Sequence, residues 1–326
     1  MRVVVLGAGA LGSVYGSWFA DAGAEVMLVA RRPHAEAVRE RGLEIRSYDA
    51  GTKICHVDAT DDPAAAGDAD LVLVAAKSFD VPGLLDAYGG RCSVAFSVQN
   101  GVDQALPLVE RFGPAAVEGV SMVGGTLVGP GVAEHSFGGA TYVGDIAGTV
   151  PGAAARIADT LPERITERAD IGSVQWTKAT LAVAAMGVVA LTRSIYHRMF
   201  VTPALREAFL DLMCEAALVA RSEGVPLIDL PGPMRVRTFT TLPREQALEV
   251  LREFGEHLVA TGQTGVKVSA LQSIERGRPL EVDAVFAPFA RRAAERGLDV
   301  PLLAGVTRMM FGVDAAIRED VEATAE

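Results

Sequence analysis

The hexapeptide Gly7-Ala8-Gly9-Ala10-Leu11-Gly12 fits the pattern G-x-G-x-x-G. It stands between an apolar run, residues 3–6, and a helical stretch covering about residues 11–22. Residues of these types at this spacing can bind a diphosphate. Gly7 permits a tight turn, Gly9 lets the backbone approach the phosphates, and Gly12 lets the helix lie close on the strand. The free amides of the helix start, Ala10 and Leu11 among them, face the anion along the helix dipole. About 20 residues further on, NAD enzymes place an acidic residue for the ribose 2′-hydroxyl. This chain reads Val29-Ala30-Arg31-Arg32 there. A guanidinium suits a 2′-phosphate, because its planar fork makes paired, charge-assisted bonds. The expected cofactor is therefore NADP(H), with Arg31 the first phosphate contact and Arg32 the second.

Two more segments follow apolar runs directly. Ala76-Lys77-Ser78 comes after residues 70–75 (DLVLVA), and Gln99-Asn100-Gly101-Val102 after residues 93–98 (SVAFSV). The C-terminal ends of parallel strands are where such sheets bind ligands. A third segment, Trp176-Thr177-Lys178, opens an apolar helix. A hydride arriving at a carbonyl carbon leaves negative charge on the oxygen. A nearby ammonium stabilises that charge and can donate the proton.

The elements that must hold these residues alternate in the first half of the chain. Strands are expected at residues 3–6, 25–30, 70–75 and 93–98, and helices at about 11–22 and 35–41, the latter capped by Gly42. This alternation indicates a doubly wound parallel sheet. From Pro151 onward helical patterns dominate, at about 153–160, 173–194, 203–223, 243–259 and 283–296. Val300-Pro301 opens a last helix toward residue 319, and the charged tail 318–326 is expected to fray. Residues 229–241, rich in Pro and Arg, read as a mobile loop, and His135 reads as a structural residue in a glycine-rich loop. The expected class is α/β: a Rossmann-type doubly wound parallel sheet over residues 1–169, then an all-helical domain over residues 170–326 that completes the active site.

Composition narrows the partners. The chain has 326 residues, half of them hydrophobic and 22% charged, enough for two cores. The net charge of -11 repels nucleic-acid phosphates and anionic membranes, so neither is an expected partner. Cys55, Cys92 and Cys214 form no C-x-x-C and no cluster with His. A reducing, cytoplasmic compartment and no metal site are expected. The N-terminal apolar run is too short for a signal peptide. The later apolar stretch 181–191 falls short of the ~20 residues that a bilayer needs. The expected partners reduce to a small carbonyl substrate and at most a second copy of the chain.

Taken together, the segments resemble the ketopantoate reductase (2-dehydropantoate 2-reductase) family, which supplies pantothenate biosynthesis. The resemblance rests on GAGALG, Lys77, Gln99-Asn100-Gly101, Gly129-Pro130-Gly131 with His135, Trp176-x-Lys178, Leu191-Thr192 and Ser269. It continues through Glu275-Arg276-Gly277-Arg278-Pro279-Leu280-Glu281-Val282-Asp283. The resemblance implies NADPH-dependent reduction of a 2-keto acid to a 2-hydroxy acid. It makes Lys178 the acid and places Glu281 near the nicotinamide ribose and the lysine. It further implies that Ser269 binds substrate, that Asn100 lies close to nicotinamide and substrate, and that Lys77 contacts the cofactor.

One departure stands out. The family typically carries asparagines four and eight residues after the lysine, and this chain has Ala182 and Met186 there. Lys178, Ala182 and Met186 share one helix face at four-residue spacing, so that face of the substrate pocket is expected to be apolar. Loops around Arg193, His197 or Arg235 could supply replacement contacts. Two alternatives follow: a family reductase acting on a different, less polar ketone or imine, and a catalytically silent NADPH-binding protein.

Overall fold

The N-terminal apolar run folds as β1 (Arg2–Leu6). Val3 and Val5 enter one apolar cluster, while Val4 and Leu6 enter another. The strand is thus covered on both faces, which is why its sequence runs apolar without alternating. The structure is a computed structural model and describes residues 1–231 and 235–325. The chain divides into two compact units, Met1–Gln99 with Asp103–Ile171, and Asn100–Val102 with Gly172–Glu326.

In the first unit β1 is followed by α1 (Ala10–Asp21), β2 (Glu25–Val29), α2 (Arg32–Arg41), β3 (Leu43–Ser47), β4 (Gly51–Cys55) and β5 (Asp58–Thr60). Then come β6 (Ala69–Val74), α3 (Val81–Ala87), β7 (Cys92–Ser97), α4 (Leu106–Phe112) and β8 (Ala116–Ser121). The unit closes with β9 (Gly124–Gly129), β10 (Val132–Phe137), β11 (Thr141–Gly144), α5 (Ala153–Ala158) and β12 (Ile165–Glu167). The main sheet has the order β12-β11-β8-β7-β6-β1-β2-β5. All its pairs are parallel except β8 with β11. This is the expected doubly wound α/β class.

A second sheet, β4-β3-β10-β9, was not legible in the sequence. Its strands are short and half-exposed, and β3 pairs with β10 across almost ninety residues of chain. His135 is structural, but it lies on β10 rather than in a loop. Its buried ring meets Trp18 and Tyr48 edge-on at 5.2 and 5.0 Å. Ser47 Oγ lies 2.8 Å from its Nδ1. Strand β12 was not anticipated in the stretch from Pro151 onward, where helical patterns dominate; it completes the sheet edge beside β11.

The second unit is helical: α6 (Ile171–Thr192), α7 (Tyr196–Val201), α8 (Pro203–Ser222), α9 (Val236–Phe239), α10 (Arg244–Ala260), α11 (Ser269–Glu275), α12 (Val282–Val285), α13 (Ala287–Glu295) and α14 (Pro301–Ala325). Helix α6 runs 22 residues, twice the apolar stretch read from the sequence, so by length and composition it could cross a bilayer. However, 78% of its most apolar stretch is buried inside the protein, as in a core helix. Residues 229–241 are not simply a mobile loop. Asp229 accepts hydrogen bonds from the Thr238 amide, the Thr238 hydroxyl and Arg237, which hold the start of α9. Residues 232–234 of that segment lie outside the described residues. Helix α14 continues to Ala325, through the tail expected to fray, and Glu326 lies outside the described residues.

Candidate active site

The glycine loop joins β1 to α1. Gly7 has φ +86°, and a β-carbon there would stand 2.5 Å from the Ala76 nitrogen. A β-carbon on Gly12 would stand 2.7 Å from the Gly7 carbonyl oxygen. Around Gly9, by contrast, nothing lies within 4 Å of the position a β-carbon would take. Gly9 is also the N-cap of α1, with no side chain capping the helix. The first helical bond is Ser13 N–H to the Gly9 carbonyl, at 3.0 Å. The amides of Ala10, Leu11 and Gly12 are therefore first-turn donors, which a helix leaves without intrahelical partners. Close packing behind the loop and open space before it fit a nucleotide diphosphate.

Arg31 is the N-cap of α2 and Arg32 its first residue. Both side chains are 74% exposed. No carboxylate follows β2 in sequence, yet the fold supplies two. Arg31 Nη2 lies 3.3 Å from Asp80 Oδ2, and Arg32 Nε donates to Asp61 Oδ2 at 2.8 Å. The Arg32 hydrogen bond holds Asp61 below the usual carboxylate range. Exposed pairs of this kind are worth about 0–1 kcal/mol, so an incoming phosphate can replace them. Lys77 follows β6 and caps a short turn, Ser78–Asp80. Gln99 Nε2 donates to the Ala76 carbonyl at 3.0 Å, tying the end of β7 to this segment.

The remaining candidates belong to the helical unit. Lys178 stands in the third turn of α6, not at its start, and is half-buried. Its neighbours fix that turn. Trp176 meets Phe289 edge-on at 5.2 Å and lies under the Arg292 guanidinium, while Thr177 Oγ1 accepts the Ile228 amide at 3.0 Å. Glu281 is only 5% exposed and forms the N-cap of α12. The preceding amide, of Leu280, donates to buried Asp314 on α14 at 2.6 Å, and Arg318 holds the other oxygen of that carboxylate. Ser269 is the first residue of α11 and half-buried.

Asn100 joins this unit through its neighbour. A β-carbon on Gly101 would stand 2.5 Å from the Ala284 carbonyl oxygen, one turn after Glu281. One apolar cluster contains residues flanking every one of these positions: Val102, Trp176 and Ala179, Ala270 and Leu271, Leu280 and Val282. Ala182 packs on the same cluster and Met186 belongs to it, 5% exposed. Arg193 ends α6 with φ +51° and lines a cavity of about 280 Å³ with Ile274, Gly277, Val313 and Ile317. It lies fifteen residues beyond Lys178, roughly 22 Å along the helix at 1.5 Å per residue. His197 Nδ1 is buried and has no partner among the described residues. Arg235 is exposed ahead of α9.

Sequence reasoning missed Asp314, Asp61 and Asp80. Their roles depend on hydrogen bonds to distant segments, and nothing in their local sequence marks them.

A doubly wound domain with a glycine cradle, followed by a helical unit carrying a lysine and a buried glutamate, defines a pyridine-nucleotide-dependent oxidoreductase. Residues 3–148 match the family model described as "Ketopantoate reductase PanE/ApbA", and residues 170–313 match its C-terminal counterpart. The chain belongs to the ketopantoate reductase family, whose enzymes act on a CH–OH/C=O pair. It is 28% identical over 311 residues to a 2-dehydropantoate 2-reductase of Halobacterium salinarum, covering 93% of this chain and 95% of that protein. It also resembles the crystal structure of a PanE/ApbA family ketopantoate reductase from Ralstonia eutropha JMP134. There the TM-score is 0.81 at 26% identity, over 98% of this chain and 100% of the other. The fold is shared with a D-mandelate dehydrogenase solved with NADH and anilino(oxo)acetate, at TM-score 0.81 and 18% identity, over 98% and 100% of the two chains.

Proposed function

We propose that the protein reduces a 2-keto acid to a 2-hydroxy acid with NADPH, as in the conversion of 2-dehydropantoate to pantoate. The observation that carries this reading is the single apolar cluster whose members flank Asn100, Lys178, Ser269 and Glu281. The core of the helical unit thus runs beside all four positions. When bound, the nicotinamide supplies the hydride. Gly7, Gly9, Ala10, Leu11 and Gly12 hold its diphosphate, Arg31 and Arg32 its 2′-phosphate, and Lys77 and Asn100 its remaining polar groups. Lys178 stabilises the charge growing on the carbonyl oxygen and gives it a proton. Glu281, a buried carboxylate, orients the ammonium and the cofactor ribose. Ser269 and the Asn100 amide bind polar groups of the substrate. The residue roles and the preference for NADPH are part of the proposal, as are a cytoplasmic setting and assembly with a second copy.

The test is NADPH oxidation with 2-dehydropantoate in wild type and in Lys178→Ala. The variant should lose ~10²–10⁴-fold in turnover while cofactor binding persists. Turnover near the wild-type rate would remove Lys178 from the chemistry, and no turnover of any ketone by wild type would remove the reductase reading.

A second reading has its own observation. Ala182 and Met186 present no amide on the Lys178 face of α6, and Met186 is packed into the core. This favours a carbonyl compound with an apolar group beside the reacting carbon. Each unpaired polar group of a hydroxylated acid would cost about 1–3 kcal/mol in such a pocket. A panel of 2-keto acids, ketones and cyclic imines separates the two readings.

A further inference from the structure

The turn Gly129-Pro130-Gly131 reaches the nucleotide-binding half through a buried histidine. His34 is the third residue of α2, two positions after Arg32, and is 5% exposed. The Gly131 amide donates to its Nδ1 at 3.0 Å, and its Nε2 lies 3.1 Å from Ser13 Oγ. Since Nδ1 accepts, the neutral ring carries its proton on Nε2 and donates it to Ser13. Ser13 directly follows Gly12 in the first turn of α1 and is fully buried.

One ring therefore ties together three elements: α1, whose first amides face the diphosphate; α2, whose start presents Arg31 and Arg32; and the β9–β10 turn. The turn is itself fixed, for the Gly131 carbonyl accepts the Glu44 amide at 2.8 Å and the Pro130 carbonyl lies 3.4 Å from Arg41 Nη2. Imidazole suits this place because it accepts at one edge and donates at the other. Both arginines are exposed, and among the described residues their ion pairs are those with Asp80 and Asp61. The placement of their backbone thus depends on the anchor beneath them.

We propose that His34 is a positioning residue that sets Arg31 and Arg32 for a cofactor 2′-phosphate, through its hydrogen bonds to Ser13 and to the Gly129-Pro130-Gly131 turn. The inference rests on the NADPH reading and adds the group that selects the phosphate indirectly. His34 touches neither cofactor nor substrate in this role.

The experiment titrates the full-length protein calorimetrically with adenosine 2′,5′-bisphosphate and with 5′-AMP. Wild type should prefer the bisphosphate. His34→Ala should lower bisphosphate affinity by about three- to tenfold, the effect of a lost hydrogen bond or two, and leave 5′-AMP within twofold. His34→Asn, whose side-chain carbonyl can still accept from Gly131, should recover part of the preference and serves if the alanine variant does not fold. In an Arg31→Ala/Arg32→Ala background the His34 effect should vanish, because a positioning residue acts only through what it positions. Equal losses for both ligands, or an undiminished His34 effect without the arginines, would overturn the inference while leaving the NADPH reading intact. A wild type indifferent to the 2′-phosphate would overturn both.

Discussion

Gly101 lies against the carbonyl of Ala284: its φ is +123°, and a β-carbon on it would stand 2.5 Å from that oxygen. This contact fixes Asn100 to the segment that carries Glu281, because the Ala284 amide donates to the Glu281 carbonyl at 3.2 Å. Gly101→Ala must move one backbone or the other. Strained backbone of this kind costs about 1–3 kcal/mol. A lower melting temperature and a fall in kcat/KM are expected together. Unchanged melting and turnover would show that the contact is not needed.

Cofactor choice is expected to follow the arginines. Arg31→Ala removes charge-assisted bonds worth about 1.5–3 kcal/mol each, which should raise KM for NADPH at least tenfold and leave KM for NADH near its starting value. Asp80, released from its pair with Arg31, adds repulsion toward a phosphate. Equal affinity of wild type for NADPH and NADH would defeat this assignment.

On the Lys178 face, Ala182→Asn is the cleaner of two substitutions. Ala182 is half-buried, so an amide there can face substrate, and kcat/KM for 2-dehydropantoate should rise relative to apolar ketones. Met186→Asn places an amide in the core cluster and should cost about 2–5 kcal/mol of stability, as other core truncations do. If wild type already prefers 2-dehydropantoate and Ala182→Asn brings no gain, the apolar-substrate reading is wrong.

Stability should decline in mild acid. Burial lowers the pKa of His34 and of His135 from the usual 6.5. Just below 6.5 the unfolded chain therefore binds more protons than the folded one, and unfolding is favoured as pH falls. The stability these two histidines contribute is fully present above pH 6.5 and is lost as pH drops toward their folded values. Urea midpoints measured at several pH values between 7.5 and 5.5 should fall, and less steeply in a His34→Asn/His135→Phe variant. Identical slopes would assign the acid sensitivity to other groups.

The sequence by itself determined the parts whose physics is local. A glycine pattern between a strand and a helix needs only neighbouring residues, so the cradle at Gly7, Gly9 and Gly12 was legible, and so was the parallel sheet announced by its doubly buried strands. The run 173–194 identified α6 to within two residues at each end, because an apolar core helix is long and this one carries no proline. What escaped were structures built from distant pairs. The second sheet joins β3 to β10, and neither strand is apolar enough to announce itself.

Tertiary structure alone decided the environment of the candidate residues. Asp61 and Asp80 reach Arg32 and Arg31 from segments some thirty and fifty residues away. Asp314 grips the Leu280 amide beside Glu281 across 34 residues. Asn100 follows a strand of the first unit yet groups with the second, where a β-carbon on Gly101 would collide with the Ala284 carbonyl. Residue type decides which hydrogen bonds a side chain can make. Which partner it meets depends on how the whole chain closes, because burial leaves a polar group only the partners the fold brings within reach.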